Sequence, residues 1–391
     1  MSRTFWRRSL LALVVPPLTW GLGAGAAHAE KADDLVVEAR ELSARGDLGG
    51  AESKLKLALE VDRNNAAANV EMGLLKLMRN ELPMAQQFAN MALAKDRNDA
   101  AALILLVRVM GAMGQIDVAV AKTQEAANTY RDNAGVQLAY GEALLEQGKP
   151  DQALLAATRA LKLQETSIAA MKLLGRSYMA LGRPVTAESV LIRALEIERD
   201  PEALCLLAGI RYGEGNLIEA RLLLEEAVGK QPGYVEALNS LGAIYNVVRN
   251  WDSALDALNR VIAMAPSFPE AWLNLGSSQR GAGRFDQAEA SWKKVLTLAP
   301  KMADAWYNLG ILYLENPIGT RDRIQQLTDS INAFNAFKRG ATGNDPNVDK
   351  FIEEARLLIK QEQDRRNEQL KGTPPEDGKG KPPADGEGGL K

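Results

Sequence analysis

Histidine and cysteine are almost missing from this chain: 391 residues contain one of each, His28 and Cys205. A single thiol cannot close an internal disulfide. Without a second histidine or cysteine there is no zinc site of the Cys and His kind and, once His28 is lost as argued below, no Ser-His or Cys-His nucleophile. Long apolar runs are also missing, because the most hydrophobic stretch, Leu10 to Leu22, is short and broken by Pro16 and Pro17. That excludes an integral membrane span there. Excess charge of one sign is absent too, since 47 basic residues face 50 acidic ones for a net of -3. Nothing in the bulk charge invites nucleic acid. What remains is 46% hydrophobic and 5% aromatic, the composition of a soluble helical protein.

The first 29 residues read as an export signal. Arg3, Arg7 and Arg8 form a basic start, Leu10 to Val15 and Leu18 to Leu22 an apolar middle, and Ala27-His28-Ala29 an A-x-A cleavage site before Glu30. The Arg7-Arg8 pair leaves both the general secretory and the twin-arginine routes open. No cysteine lies near the site to take a lipid. Cleavage would remove His28 and three arginines, leaving 44 basic against 50 acidic residues. The expected location is the periplasm.

The clearest internal pattern runs from Pro269 to Met302. Trp272, Leu275, Gly276 and Gln279 share one helical face, and Ala288, Trp292 and Val295 share another after the Gly281 to Asp286 turn. Pro300 stops the second helix. A large residue, Leu-Gly, a small residue twelve positions on, then an aromatic and a Pro: this resembles the tetratricopeptide repeat. The same register opens again at Trp306 and Gly310, and projecting back it starts repeats near 32, 66, 100, 134, 168, 201 and 235. The resemblance implies an all-α, right-handed superhelical solenoid of about nine helical hairpins over 30–345. Within each hairpin the Gly and the small residue, such as Gly276 and Ala288, are expected to face each other where the helices cross.

Three departures mark the ends of this array. The first five repeats replace the terminal Pro by Arg63, Arg97, Arg131, Glu165 and Arg199, with Asp and Asn nearby to set turns and N-caps. The ninth repeat fits only with eight extra residues in 315–326, expected as a loop protruding at one edge. Phe351, Ile352, Ala355, Leu358 and Ile359 then form a stripe on a capping helix over 346–370, and 371–391 is a Pro, Gly and charge-rich segment expected to be disordered.

In the resembled family the first helices line an inner groove. Carried over, its positions are Val36, Val70, Leu74, Leu77, Ile104, Leu138 and Leu145, an apolar strip, followed by Lys172, Arg176, Tyr212, Asn239, Asn246 and Tyr307. A strip with polar anchors suits an extended or helical peptide, and cover by neighbouring helices is the alternative. Lys172 and Arg176 lie four apart and could grip a carboxylate, although Ala139 and Leu206 stand where the family's carboxylate clamp has asparagines. Asn274 and Asn308 precede Leu-Gly in two successive repeats, the position of a substrate-holding ladder in repeat arrays fused to a sugar transferase. Cys205 falls within a helix, as a packed small residue or an intermolecular disulfide. The resemblance implies no catalytic residue, cofactor or metal. It points to a non-catalytic scaffold for other proteins of a Gram-negative envelope machine, of the pilus, polysaccharide-export or gliding-motility type. A glycan-binding accessory role stands as the alternative, and oligomeric state is left open.

Overall fold

A computed structural model describes residues 24–340 and 345–372; the segment expected to be disordered lies outside them from 373 on, as do residues 1–23 of the expected signal. Among the described residues there are nineteen helices and no strand. They fall into two units, divided after Pro300.

The first unit pairs α1 (Ala24–Arg45) with α2 (Leu48–Val61), α3 (Ala66–Met78) with α4 (Leu82–Lys95), α5 (Ala100–Ala112) with α6 (Ile116–Thr129), and α7 (Ala134–Glu146) with α8 (Pro150–Leu163). It continues with α9 (Ile168–Ala180) and α10 (Pro184–Ile197), α11 (Pro201–Gly213) and α12 (Leu217–Lys230), α13 (Val235–Val247) and α14 (Trp251–Met264), and α15 (Pro269–Gly281) and α16 (Phe285–Leu298). Each hairpin packs on the next, as in a solenoid, and fully buried small residues such as Ala85, Ala119, Ala153, Ala187 and Ala220 let the axes approach.

The turn inside each hairpin is closed by a residue in the left-handed region: Gly46, Asn80, Gly114, Gly148, Gly182, Gly215, Arg249 and Gly283. Six of the eight are glycine, which alone enters that region without a Cβ penalty. The backbone then folds back on the helix end, Arg284 N donating to Gln279 O at 2.7 Å and Gly283 N to Arg280 O at 3.0 Å.

Joints between hairpins use two different chemistries. Asn65, Asp99, Asn133, Ser167 and Asp200 each accept a hydrogen bond from the backbone N–H three residues on, capping α3, α5, α7, α9 and α11. Tyr234 and Phe268 stand at the same place in later joints and make no such bond. The carbonyls of the joint are satisfied from the fourth residue of the following helix: Asn69 Nδ2 donates to Arg63 O, Gln137 Nε2 to Arg131 O and Trp272 Nε1 to Pro266 O, at 3.1, 3.3 and 2.8 Å. So the early joints, which lack the stopping proline, are held by side-chain caps instead. Asp99→Ala is expected to lower stability by about 1 kcal/mol, read as a shift of the urea midpoint at constant slope.

At the helix crossings the alanine twelve residues on does approach the glycine, Ala85 O and Ala153 O lying 3.4 and 3.5 Å from a Cβ built on Gly73 and Gly141, and a larger side chain comes closer still. A Cβ on Gly276 would lie 2.5 Å from Trp292 Nε1, so the glycine makes room for the indole sixteen residues on. Gly175 and Gly242 lie under Leu191 and Leu258 in the same way. Gly73 and Gly141 have alanines at the corresponding place, Ala89 and Ala157. There the gap is filled by Leu105 and Leu173 of the next hairpin, 2.4 and 2.6 Å from the position of a Cβ.

The first unit also touches itself across almost its whole length. Gly233 N, in the joint between α12 and α13, donates to Ala44 O at 2.8 Å, and Ser267 Oγ, in the next joint, donates to Arg79 O at 3.3 Å. Val36, Leu55 and Met72 from the first two hairpins share one apolar cluster with Val235, Leu238, Val261 and Phe268. The seventh hairpin therefore packs laterally against the first, so that within the first unit these seven hairpins close on themselves.

The second unit contains α17 (Ala303–Glu315), α18 (Arg323–Gly340) and α19 (Pro346–Gly372). Its crossing glycine, Gly310, lies under Phe334, with a Cβ position 2.6 Å from the ring. Compared with α16 the eight extra residues divide evenly: four lengthen the connection and four add a turn to the start of α18. The expected protruding loop is instead folded onto the end of α17. Gln326 Nε2 donates to Tyr313 O at 2.8 Å and Asn316 O at 2.6 Å, and Arg323 donates to Leu314 O at 2.6 Å. These bonds serve carbonyls that a helix end leaves without partners. Ile318 of the connection is itself buried. Val348, Ile352 and Ala355 of α19 pack on Ile311, Leu314, Leu327 and Phe334, with Phe351, Leu358 and Ile359 half-buried beside them, while Glu353, Glu354, Arg356 and Leu357 face outward.

Candidate interaction surfaces

The residues assigned to an inner groove divide into three groups. Val36, Val70, Leu77 and Leu138 are buried in clusters between helices, at 8% exposure or less. They are core, because neighbouring first helices approach closely enough to cover them. Leu74, Ile104 and Leu145 are half-buried beside those clusters. The apolar strip is thus largely covered by its own neighbours.

Polar members of the set are engaged with one another. Lys172 Nζ lies 3.1 Å from Asp200 Oδ1 and 2.8 Å from Glu202 Oε2, and Arg176 Nη1 lies 2.7 Å from Glu142 Oε2. The two cations already hold carboxylates of the chain itself. Burial works against the charge on both, and the adjacent acids outweigh it, holding Lys172 and Arg176 above their ordinary values. Arg108, one repeat before Glu142, sits in the field of Glu142, Glu202 and Glu236, and burial pulls it down. Arg40 and Glu71 form a further pair at 2.7 Å, and there burial pushes the Glu71 carboxyl up against the pull of Arg40. Sequence reasoning named Lys172 and Arg176 and missed their partners Glu142, Asp200 and Glu202. Arg108, Glu142 and Arg176 recur every 34 residues with alternating sign, a signal that reading one repeat row at a time would have found.

Farther along, Asn239 Oδ1 accepts from Asn274 Nδ2 at 3.0 Å, Asn246 Nδ2 donates to Asn274 O at 2.9 Å, and Asn246 Oδ1 accepts from Ser278 Oγ at 2.7 Å. Asn274, the candidate rung of a ladder, is committed to this network. Tyr212 is half-buried against the core of the fifth to seventh hairpins. In the second unit Tyr307 packs its ring on Phe334, Phe337 and Phe351, with centroids 6.0, 5.3 and 6.4 Å away. Cys205 is buried beside Ser240 and Tyr234, and burial pushes its thiol well above the usual range.

A cavity of about 50 Å³ lies between the first three hairpins and the joint before α13, lined by Ser43, Leu74, Arg108, Gly233, Tyr234 and Glu236 among others. It is far smaller than the ~300 Å³ at which small-molecule sites begin. The outer face differs. Leu155 on α8, Val185 on α10, and Ile218 and Leu222 on α12 are 65%, 71%, 71% and 53% exposed. They recur at two positions of the repeat, on three successive second helices. None of the described helices is long and apolar enough to cross a membrane.

Family models for the tetratricopeptide repeat match residues 144–210 in one case and 105–168, 247–280 and 274–344 in another. The chain belongs to the tetratricopeptide-repeat family, whose members mediate protein–protein interactions. No curated protein matches it. Among solved structures it is similar to a chain of the APC/C hetero-tetramer Cut9–Hcn1, at 16% identity and a TM-score of 0.63, covering 79% of this chain and 59% of that one. The chain thus spans about three fifths of the length of that relative. The human IFIT1 dimer with PPP-AAAA gives 16% identity and a TM-score of 0.54, over 90% of this chain and 89% of that one. MamA is 26% identical over 42% of this chain and 96% of its own, with a TM-score of 0.35. The first two likenesses speak for the fold.

Proposed function

We propose that this chain is a non-catalytic scaffold, exported to the periplasm, that holds other envelope proteins in a multiprotein assembly. The observation that carries this reading is the distribution of apolar surface on the repeat array. Inner positions are occupied by the chain's own ion pairs and amide network, while Leu155, Val185, Ile218 and Leu222 stand out from the outer face. Side chains of this kind, recurring on adjacent elements, are what a protein partner covers. Export is supported by the basic start, the apolar middle and Ala27-His28-Ala29. A cut after Ala29 falls in the first turns of α1 and leaves its buried residues, Ala32, Val36 and Ala39, in place.

The test is photocrosslinking in intact cells of a Gram-negative host of the protein. Probes at Leu155 and Ile218 sample the outer face, and probes at Leu74, Tyr212 and Tyr307 sample the positions assigned to the groove. A discrete adduct with an envelope protein from Leu155 or Ile218 is the expected result. Adducts from neither set, or recovery of the chain in the cytoplasmic fraction, would overturn the reading.

A further inference from the structure

The lateral contact that closes the first unit has its own sequence requirement. Two residues before each first helix, the joints carry Asn64, Asn98, Asp132, Thr166, Arg199 and Ser267, so this turn accepts a side chain. Gly233 is the exception, and its φ lies outside the left-handed region that would call for glycine. The reason lies across the contact. A Cβ there would sit 2.6 Å from both Gly46 N and Ser43 O and 2.8 Å from Gly46 Cα. These are backbone atoms of the α1–α2 turn, which can yield only by moving the whole hairpin. Met264 Sδ approaches the same turn, 2.9 Å from where a Cβ on Gly46 would be. Glycine at 233 is therefore explained by docking of the first hairpin and by nothing in the local turn.

Where the hairpins dock, Leu74, Arg108 and Glu236, at inner positions of their repeats, line a small cavity. The cavity is bounded by Ser43, Leu48, Leu74 and Leu75 on one side and by Gly233, Tyr234 and Glu236 on the other. Beyond Tyr234 lies Cys205. A polypeptide cannot enter so small a space while the contact holds.

We infer that the first two hairpins are a latch: docked on the joints around Gly233 and Ser267 they seal the inner face of the solenoid, and a polypeptide partner gains that face only when they release. Opening of this kind is a sub-global event, in which terminal hairpins leave while the repeat-to-repeat stacking of the middle persists. The inference rests on the scaffold reading for its partner, but the latch itself is tested on the chain alone.

Cys205, the only cysteine, reports on the opening. It is 4% exposed and hydrogen-bonded to Tyr234, which lines the cavity beneath the docked hairpins. The experiment measures the rate at which the full chain reacts with 5,5′-dithiobis(2-nitrobenzoate) under native conditions. Gly233→Ala is expected to raise that rate about tenfold or more with unchanged helical ellipticity. Gly229→Ala, whose Cβ would meet nothing within 4 Å, serves as control and should leave it unchanged. A folded Gly233→Ala that reacts at the wild-type rate would overturn the latch. Should that variant lose its helicity, the wild-type chain decides through the urea dependence of the same reaction. A slope well below that of global unfolding supports a separate opening, and an equal slope excludes it. Because no partner takes part, failure here leaves the scaffold reading to the crosslinking result.

Discussion

Trp292→Ala is expected to destabilise the eighth hairpin by about 3–5 kcal/mol, the largest effect of any single side chain in the first unit. The indole is 1% exposed, and its Nε1 donates to Leu273 O at 3.0 Å. Truncation removes its contacts with α15, opens a void beside Gly276 and leaves the Leu273 carbonyl to the Ser277 hydroxyl. No neighbour can refill the void without moving a helix. In a repeat array the loss is felt locally first, so α15 and α16 should lose hydrogen-exchange protection before the middle hairpins do. The paired change is diagnostic. Gly276→Ala alone places a methyl against the indole and should cost about 1–3 kcal/mol by overpacking. Together with Trp292→Leu it recreates the pairing of Ala208 and Leu224 two repeats earlier, and the double variant should be more stable than the sum of its parts. Additive costs in urea unfolding would show that glycine and indole are not coupled.

That pairing also shows where the sequence is legible and where it stops being so. Helical period, turn glycines and N-capping residues are local, and each recurs in step with the repeat. The all-helical solenoid therefore follows from one well-formed copy, Pro269 to Met302, and its echoes. Asn65 and Asp99 could be read as caps because capping needs only the three residues that follow. The pattern shows extra residues between Glu315 and Gln326, but whether they lengthen a loop or a helix depends on what they pack against. Gln326 and Arg323 tie them to α17 through carbonyls that no pattern announces.

Contacts between distant repeats are the least legible. Ser267 and Arg79 are 188 residues apart, and no period connects them. Only Gly233, a glycine where its counterparts carry side chains, betrays that something approaches. The groove assignment had a related weakness. Position within the repeat tells which way a side chain is expected to point. It does not tell how near the neighbouring helix comes, and that distance converts Val36, Val70, Leu77 and Leu138 from surface into core.

The inner charges give the second large effect. Arg176 and Glu142 meet at 2.7 and 2.9 Å with side chains only 19% and 18% exposed. Arg176→Met should cost about 3 kcal/mol or more, because it strands Glu142 in a largely desolvated row. Glu142→Leu should cost a similar amount for a different reason. It leaves Arg176 and Arg108, on either side of that carboxylate in the row, to repel each other with less compensation. Removing both partners resolves each difficulty at once. The stranded carboxylate is gone, Arg108 no longer faces Arg176, and Glu202 and Glu236 still balance its charge. The double variant is therefore expected within about 1 kcal/mol of the wild type, giving a coupling energy of several kcal/mol in a cycle of urea midpoints. A coupling below about 0.5 kcal/mol would mean that water screens the pair as it does at an open surface. The inner face would then be wet in the folded chain, and these two residues would be as available to a partner as their positions in the repeat suggest.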